Sequence, residues 1–285
     1  MRVVRRSDEL RSLLEEPRRK SRTVGLVPTM GALHAGHLSL VRRARHSSDV
    51  VVVSVFVNPK QFGEGEDFEH YPRDTEGDLE LLRGERADIA FLPSVEEMYP
   101  ANATVGVTAG PIGDVYEGVD RPGHFDGVCT VVAKLFNIVE PDLAVFGQKD
   151  AQQAAVLKRL VKDLDFTIDL IVAPIVRESE GLAISSRNVY LTAEQRNQAL
   201  ALSRSLELGR DAYAQSGDAQ LTEKTMLEYL QEAEGVEVAY AAAVDPDSFG
   251  APRSEDRILL IVAGRVGNTR LIDNLVVEAT DGGGG

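Results

Sequence analysis

The chain has 285 residues, 43% of them apolar, with 31 Lys and Arg against 45 Asp and Glu, giving a formal net charge of −14. This length and apolar content fit one large or two modest globular domains with ample core. The acidic balance argues against tRNA or DNA as a partner, because nucleic-acid binding needs a basic face.

The first residues, Met1 to Glu9, are polar and lack a hydrophobic signal core. Thr23–Val27 reads as a strand. The run Pro28-Thr29-Met30-Gly31-Ala32-Leu33-His34-Ala35-Gly36-His37 follows it, and Leu38–Arg45 reads as a helix. Val50–Val57 is a second strand, too short to span a bilayer, so no membrane partner is expected. Asp74–Arg83 reads as a helix and Ile89–Leu92 as a strand. Thr108 to Asp126 has no clear periodicity and is rich in Gly and Pro, so it reads either as a substrate-covering loop ending in His124 or as a plain surface excursion.

Val128–Val139 keeps the three-to-four spacing of a buried helix face. It contains Cys129, the only cysteine, which reads as an inert core thiol. One cysteine permits no intramolecular disulfide, which fits a cytoplasmic location. Leu143–Phe146 is a strand, Ala151–Leu164 a helix and Phe166–Val172 a strand. This alternation predicts an α/β fold: a Rossmann-like, doubly wound parallel sheet with helices on both faces.

The texture changes after Asn188. Thr192 and Gln195 make a capping box for a helix to about Gln215, and a second helix runs from Asp218 to Glu234. Two or three strands end the chain, at Glu237–Val244, Arg257–Ala263 and Leu271–Val277. The pattern predicts a smaller C-terminal α+β domain, with domains at 1–175 and 176–285. The tail Asp281 to Gly285 is expected to be flexible.

The chemistry gathers on segments that follow strands. Glycines let backbone approach a phosphate, and a helix start offers free N–H groups and the positive end of a dipole. His34 and His37 are three apart, so on a helical turn they share a face. Two imidazoles at a helix start suit the charge of a phosphate undergoing displacement, or the segment is a loop with one capping and one solvated histidine. Gly147-Gln148-Lys149-Asp150 follows another strand. Lys149 reads as a phosphate clamp or as a lysine in an exposed turn. Asp150 can accept hydrogen bonds from ribose hydroxyls. Ser185, Ser186 and Arg187 offer donors for β- and γ-phosphates, or the serines simply cap a turn. Gln61 and Gln153 carry neutral amides that can both donate and accept hydrogen bonds, and taken singly each reads as a solvated surface residue.

His34-Ala35-Gly36-His37 resembles the histidine motif of the nucleotidyltransferase superfamily. Several further motifs stand in one order: Phe56-Val57-Asn58-Pro59-Lys60-Gln61-Phe62, Tyr71-Pro72-Arg73, His124-Phe125-Asp126-Gly127-Val128, Gly147–Asp150 and Ile184–Asn188. Together, from about Val24 to Asn274, they resemble the pantothenate synthetase family of pantoate–β-alanine ligases. The resemblance implies an ATP-dependent condensation of pantoate with β-alanine to pantothenate, AMP and pyrophosphate through a pantoyl adenylate.

It implies ATP contacts from Met30, Gly31, His34, Gly36, His37, Gly147, Gln148, Lys149, Asp150, Val176, Ile184, Ser185, Ser186 and Arg187. His37 is the implied proton donor, with His34, Lys149 and Arg187 as further catalytic candidates. Gln61, Gln153 and Met30 are implied for pantoate, and Gln61 for β-alanine, with Asn58, His124 and Arg187 as weaker candidates for the amine. Mg²⁺ is expected with the triphosphate. Gly77-Asp78 stands where some relatives carry adjacent aspartates, which leaves Asp78 as the metal candidate. Ala151 stands where relatives often have Tyr. A homodimer is expected from the resemblance.

Two other functions remain in competition: a nucleotidyltransferase whose product keeps the nucleotide, and a non-catalytic nucleotide-binding protein. The Gln61/Gln153 pair and the Phe56–Phe62 motif favour the ligase.

Overall fold

A computed structural model describes residues 1–63, 65–66, 68–253 and 257–278. The expectation for the tail from Asp281 lies outside these residues. The chain divides into two compact units, one of Met1–Gly147 with Gln152–Pro174 and one of Gln148–Ala151 with Ile175–Gly285.

The first unit is built on six strands: β1 (Arg2–Val4), β2 (Val24–Thr29), β3 (Val50–Val55), β4 (Ile89–Phe91), β5 (Leu143–Gly147) and β6 (Asp169–Ala173). They form one sheet in the order β1-β4-β3-β2-β5-β6, and every neighbouring pair is parallel. Alternation along β3 explains why both faces are covered. Val50 and Val52 belong to one apolar cluster, and Val51 and Val53 to the other. A strand buried on both sides is a continuous apolar run, as Val50–Val53 is.

Helices α1 (Ser7–Arg19), α6 (His124–Val139) and α7 (Ala151–Asp163) supply Leu10, Phe136 and Leu157 to the first cluster. Helices α2 (Ala35–Ser47) and α3 (Thr75–Gly84) supply Val41 and Leu82 to the second. From β2 the strand order runs one way through β3, and from β5 it runs the other way to β6. The carboxyl ends of β2 and β5 are thus the switch point, where such sheets bind ligands. The histidine loop leaves β2 at this point.

The structure adds β1 and α1, and shortens the strand expected from Phe166. Phe166 instead stays in the turn after α7. Its N–H donates to Val161 O at 3.0 Å, and its ring meets Phe136 edge-on at 5.4 Å. The irregular stretch from Thr108 holds a 3₁₀ turn at Gly110–Asp114 and a short helix, α5 (Glu117–Asp120). His124 opens α6 rather than closing a loop, because Gly123 turns the chain at φ +79°. Another short helix, α4, covers Val95–Met98.

The second unit carries α8 (Ala193–Ser216) and α9 (Ala219–Glu232). Thr192 and Gln195 form the expected capping box at the start of α8. Strands β7 (Val236–Val244), β8 (Arg257–Val266) and β9 (Thr269–Glu278) make an antiparallel sheet. Leu202, Leu206, Met226 and Leu260 sit in its core.

Candidate active site

In the first unit the histidine motif starts α2. His34 is the N-cap residue, with extended backbone, so His37 falls in the first helical turn. Their ring centroids are 4.0 Å apart and tilted by 30°. Both rings thus stand at a helix start, where free N–H groups and the dipole favour an anion.

The loop before them bends through Gly31 at φ +86° and Ala32 at φ +50°. Its support is Asp78 on α3. Leu33 N–H donates to Asp78 Oδ1 at 2.7 Å and Ala32 N–H to Oδ2 at 3.0 Å. Asp78 is only 4% exposed. Burial pushes its carboxyl above the ordinary aspartate value, against the two N–H groups that favour the charged form. Gly77 has its own reason: Asp74 caps α3 by accepting the Gly77 N–H at 3.0 Å. A Cβ on Gly77 would lie 2.3 Å from that carboxylate.

Gln61 is buried at the end of the 3₁₀ turn Pro59–Gln61. Its Nε2 donates to Met30 Sδ at 3.1 Å, and its Oε1 accepts from Asn58 Nδ2 at 3.0 Å. Asn58 also donates to Gly127 O at 3.0 Å and accepts from the Tyr99 hydroxyl at 2.8 Å. These bonds commit Asn58 to holding Gln61. Helix α6 closes on the turn only because residue 127 is glycine, since a Cβ there would stand 2.1 Å from Lys60 O.

His124 completes the group. Arg121 can only donate, so His124 Nε2, 3.1 Å from it, is an acceptor. His124 Nδ1 then carries the proton and donates to Gln61 O at 2.7 Å. Arg121 is held in turn by both oxygens of Glu66, at 3.0 and 2.7 Å. Burial works to raise the Glu66 carboxyl, but Arg121 outweighs it and the net shift is downward.

A cavity of about 590 Å³ opens beside Met30, Gly31, Phe56, Arg73 and Asp78. Cys129 lies buried elsewhere, its thiol pushed up to about 12 mainly by burial. That makes it a core group and not a nucleophile.

The adjacent glutamines at the start of α7 have different surroundings. Gln152 is buried, donates to Ile112 O and Val115 O at 2.7 Å each, and accepts Glu117 N–H at 3.2 Å. It ties the Gly110–Asp120 stretch to α7, while Gln153 is half-buried. No spacing in the sequence separates the two.

In the second unit Gln148–Asp150 form a 3₁₀ turn, with Lys149 Nζ 3.6 Å from Asp150 Oδ1. Val176 and Ile184 flank a β-bridge between Arg177 and Ala183, and Ile184 N–H donates to Val176 O at 2.9 Å. Ser185 caps the 3₁₀ turn Ser186–Tyr190 by accepting Arg187 N–H at 3.2 Å. Of the two readings of this serine, the structure shows the capping role. Strand β9 packs against both turns, so Lys149 and Ser185–Arg187 share one support.

Residues 2–276 match the family model described as pantoate-beta-alanine ligase. The chain belongs to the pantoate–β-alanine ligase family. It is 50% identical over 279 residues to pantothenate synthetase of Thermotoga petrophila, covering 97% of this chain and 100% of that one. It is 51% identical over 274 residues to that of Moorella thermoacetica, covering 95% and 97%. A crystal structure of the Thermus thermophilus pantothenate synthetase superposes with a TM-score of 0.91 at 47% identity, over 96% of this chain and 99% of that one. A Francisella tularensis pantoate–β-alanine ligase, described as complexed with β-γ ATP and β-alanine, superposes with a TM-score of 0.80 at 33% identity over 97% of each chain.

As a pantoate–β-alanine ligase, the protein is an ATP-dependent carbon–nitrogen ligase. The two competing functions drawn from the sequence give way to it. No helix among the described residues is long and apolar enough to cross a membrane.

Proposed function

We propose that this ligase works in two chemical steps, and that the residues above divide the labour between them. A pantoate carboxylate oxygen attacks the α-phosphorus of ATP, the bond to the β-phosphate breaks, and pyrophosphate leaves. The β-alanine amine then attacks the acyl carbon of the pantoyl adenylate. AMP leaves with the former carboxylate oxygen, and the proton released from the amine passes to water. The observation that carries this proposal is the His34–His37 pair at the start of α2, with ring centroids 4.0 Å apart. Such a pair places donors where charge builds on the phosphate, and His37 gives a proton to an oxygen of the departing pyrophosphate.

Met30, Gly31 and Gly36 let the nucleotide approach the backbone. Lys149, Ser185, Ser186 and Arg187 receive the β- and γ-phosphates, Asp150 the ribose, and Gly147, Gln148, Val176 and Ile184 line the nucleotide. Gln61, Gln153 and Met30 take pantoate. Gln61 and His124 face β-alanine, with Asn58 acting through Gln61. In domain terms, residues 1–175 act as the nucleotide- and pantoate-binding domain, although Gln148–Ala151 pack with the second unit, and residues 176–285 as the smaller second domain. The working form is a cytoplasmic homodimer that engages small molecules and no nucleic acid.

Mg²⁺ enters with the triphosphate. The acidic residues do not make a cage for it. Both Asp78 oxygens accept backbone N–H groups, and no group of three His, Cys, Asp or Glu suited to a metal occurs among the described residues. Asp78, the metal candidate of the sequence, is proposed instead as the brace of the histidine loop.

Identifying the nucleotide product tests the reaction. ATP, pantoate and β-alanine should yield AMP and pyrophosphate, and ADP with phosphate would contradict the route. Gln61→Ala and Gln153→Ala should weaken pantoate binding while sparing ATP. A neutral amide suits a hydroxy acid and is a poor triphosphate clamp. Calorimetry with ATP alone and then with pantoate separates the two, and an equal fall in both affinities would contradict the assignment.

A further inference from the structure

We propose that Asn274 on β9 is a positioning residue for Lys149, acting through the backbone of the lysine's own turn. The proposal rests on the reading of Lys149 as a phosphate ligand and deepens it. Asn274 is 3% exposed. Its Nδ2 donates to Gln148 O at 2.9 Å and to Lys149 O at 3.0 Å. Its Oδ1 accepts from Gln148 Nε2 at 2.9 Å. Both amide protons and the amide oxygen are therefore spent on one short 3₁₀ turn.

The amide group fits this task in a way no other side chain of its size does. A carboxylate would turn an oxygen toward two carbonyl oxygens. An aliphatic group would leave both carbonyls without those donors. The strand beneath is itself braced. Arg177 takes both oxygens of Asp273, at 2.6 and 2.9 Å, and Asp273 Oδ1 accepts the Asn274 N–H at 2.8 Å. A lysine is a flexible point charge on a four-carbon stem. Fixing its backbone shortens the search of its ammonium for a phosphate.

Asn274→Ala and Asn274→Asp decide the matter, with Lys149→Ala as reference. In the Asn274 variants, hydrogen exchange should quicken in peptides covering Gly147–Ala151 while the β8 peptides stay protected. The value of kcat/KM for ATP should fall on the order of 10–100-fold, as for a misplaced group. Asp should be at least as damaging as Ala, because it keeps the volume and reverses the polarity. A role in packing alone predicts the opposite order. Losses should not add: Asn274→Ala with Lys149→Ala should lie within about twofold of Lys149→Ala alone.

Unchanged exchange at Gly147–Ala151, a milder Asp variant, or additive losses would overturn the proposal. If Lys149→Ala itself keeps near-native activity, the phosphate role of Lys149 fails. The exchange data and the Asp/Ala order still decide whether Asn274 holds the turn. Should Asn274→Ala not fold, Asn274→Asp carries the same exchange and additivity tests.

Discussion

Lys149→Ala and His37→Ala should each leave a folded protein whose kcat/KM has dropped roughly 10²–10³-fold, the usual cost of a lost charge-stabilising donor. Folding should survive because neither side chain belongs to an apolar cluster. Lys149 sits on a short turn whose backbone is held by Asn274. His37 lies in the first turn of α2, which is anchored further along by Leu40, Val41 and Ala44. Each change therefore removes chemistry and leaves packing in place. Steady-state kinetics beside circular dichroism checks this. Activity within a fewfold of the unaltered enzyme would remove that residue from the mechanism.

Asp78→Ala should damage both stability and activity. It strips the acceptors from the half-buried Ala32 N–H and the buried Leu33 N–H, and a buried N–H left without a partner costs about 1–3 kcal/mol. Ala32 sits at φ +50°, a conformation that persists only when its surroundings impose it. Freed of the carboxylate, the loop should relax and carry the His34 ring away from its place. Asp78→Asn keeps one acceptor oxygen and should fall between the two. Urea unfolding and kinetics across a Mg²⁺ series separate a brace from a metal ligand. Native stability with activity restored by added Mg²⁺ would return Asp78 to metal binding.

Much of the fold was legible because periodicity reports burial directly. Val50–Val53 on a two-sided strand and the α6 face from Val128 to Val139 left little choice of element. The histidine loop was legible because it needs small residues beside a helix start. The supports were not. Asp78 is 45 and 46 residues from the N–H groups it holds, and Asn274 is 125 residues from Lys149. A single Asp or Asn carries no sequence sign of a partner so distant. Gln152 and Gln153 look alike on paper, and only the direction of each side chain from α7 separates them. His124 reads as a loop end because the glycines around it mask a helix start, which Gly123 creates by its left-handed turn.

The central claim is that pantoate is activated before the amine is needed, and isotope exchange tests it most directly. The enzyme with Mg²⁺, ATP and pantoate, and no β-alanine, is incubated with labelled pyrophosphate. Label should enter ATP, because adenylate formation is reversible and uses no amine. Adding β-alanine should then drain the intermediate into pantothenate and AMP. Exchange that strictly requires β-alanine, or no exchange at all with ADP as product, would contradict the adenylate route.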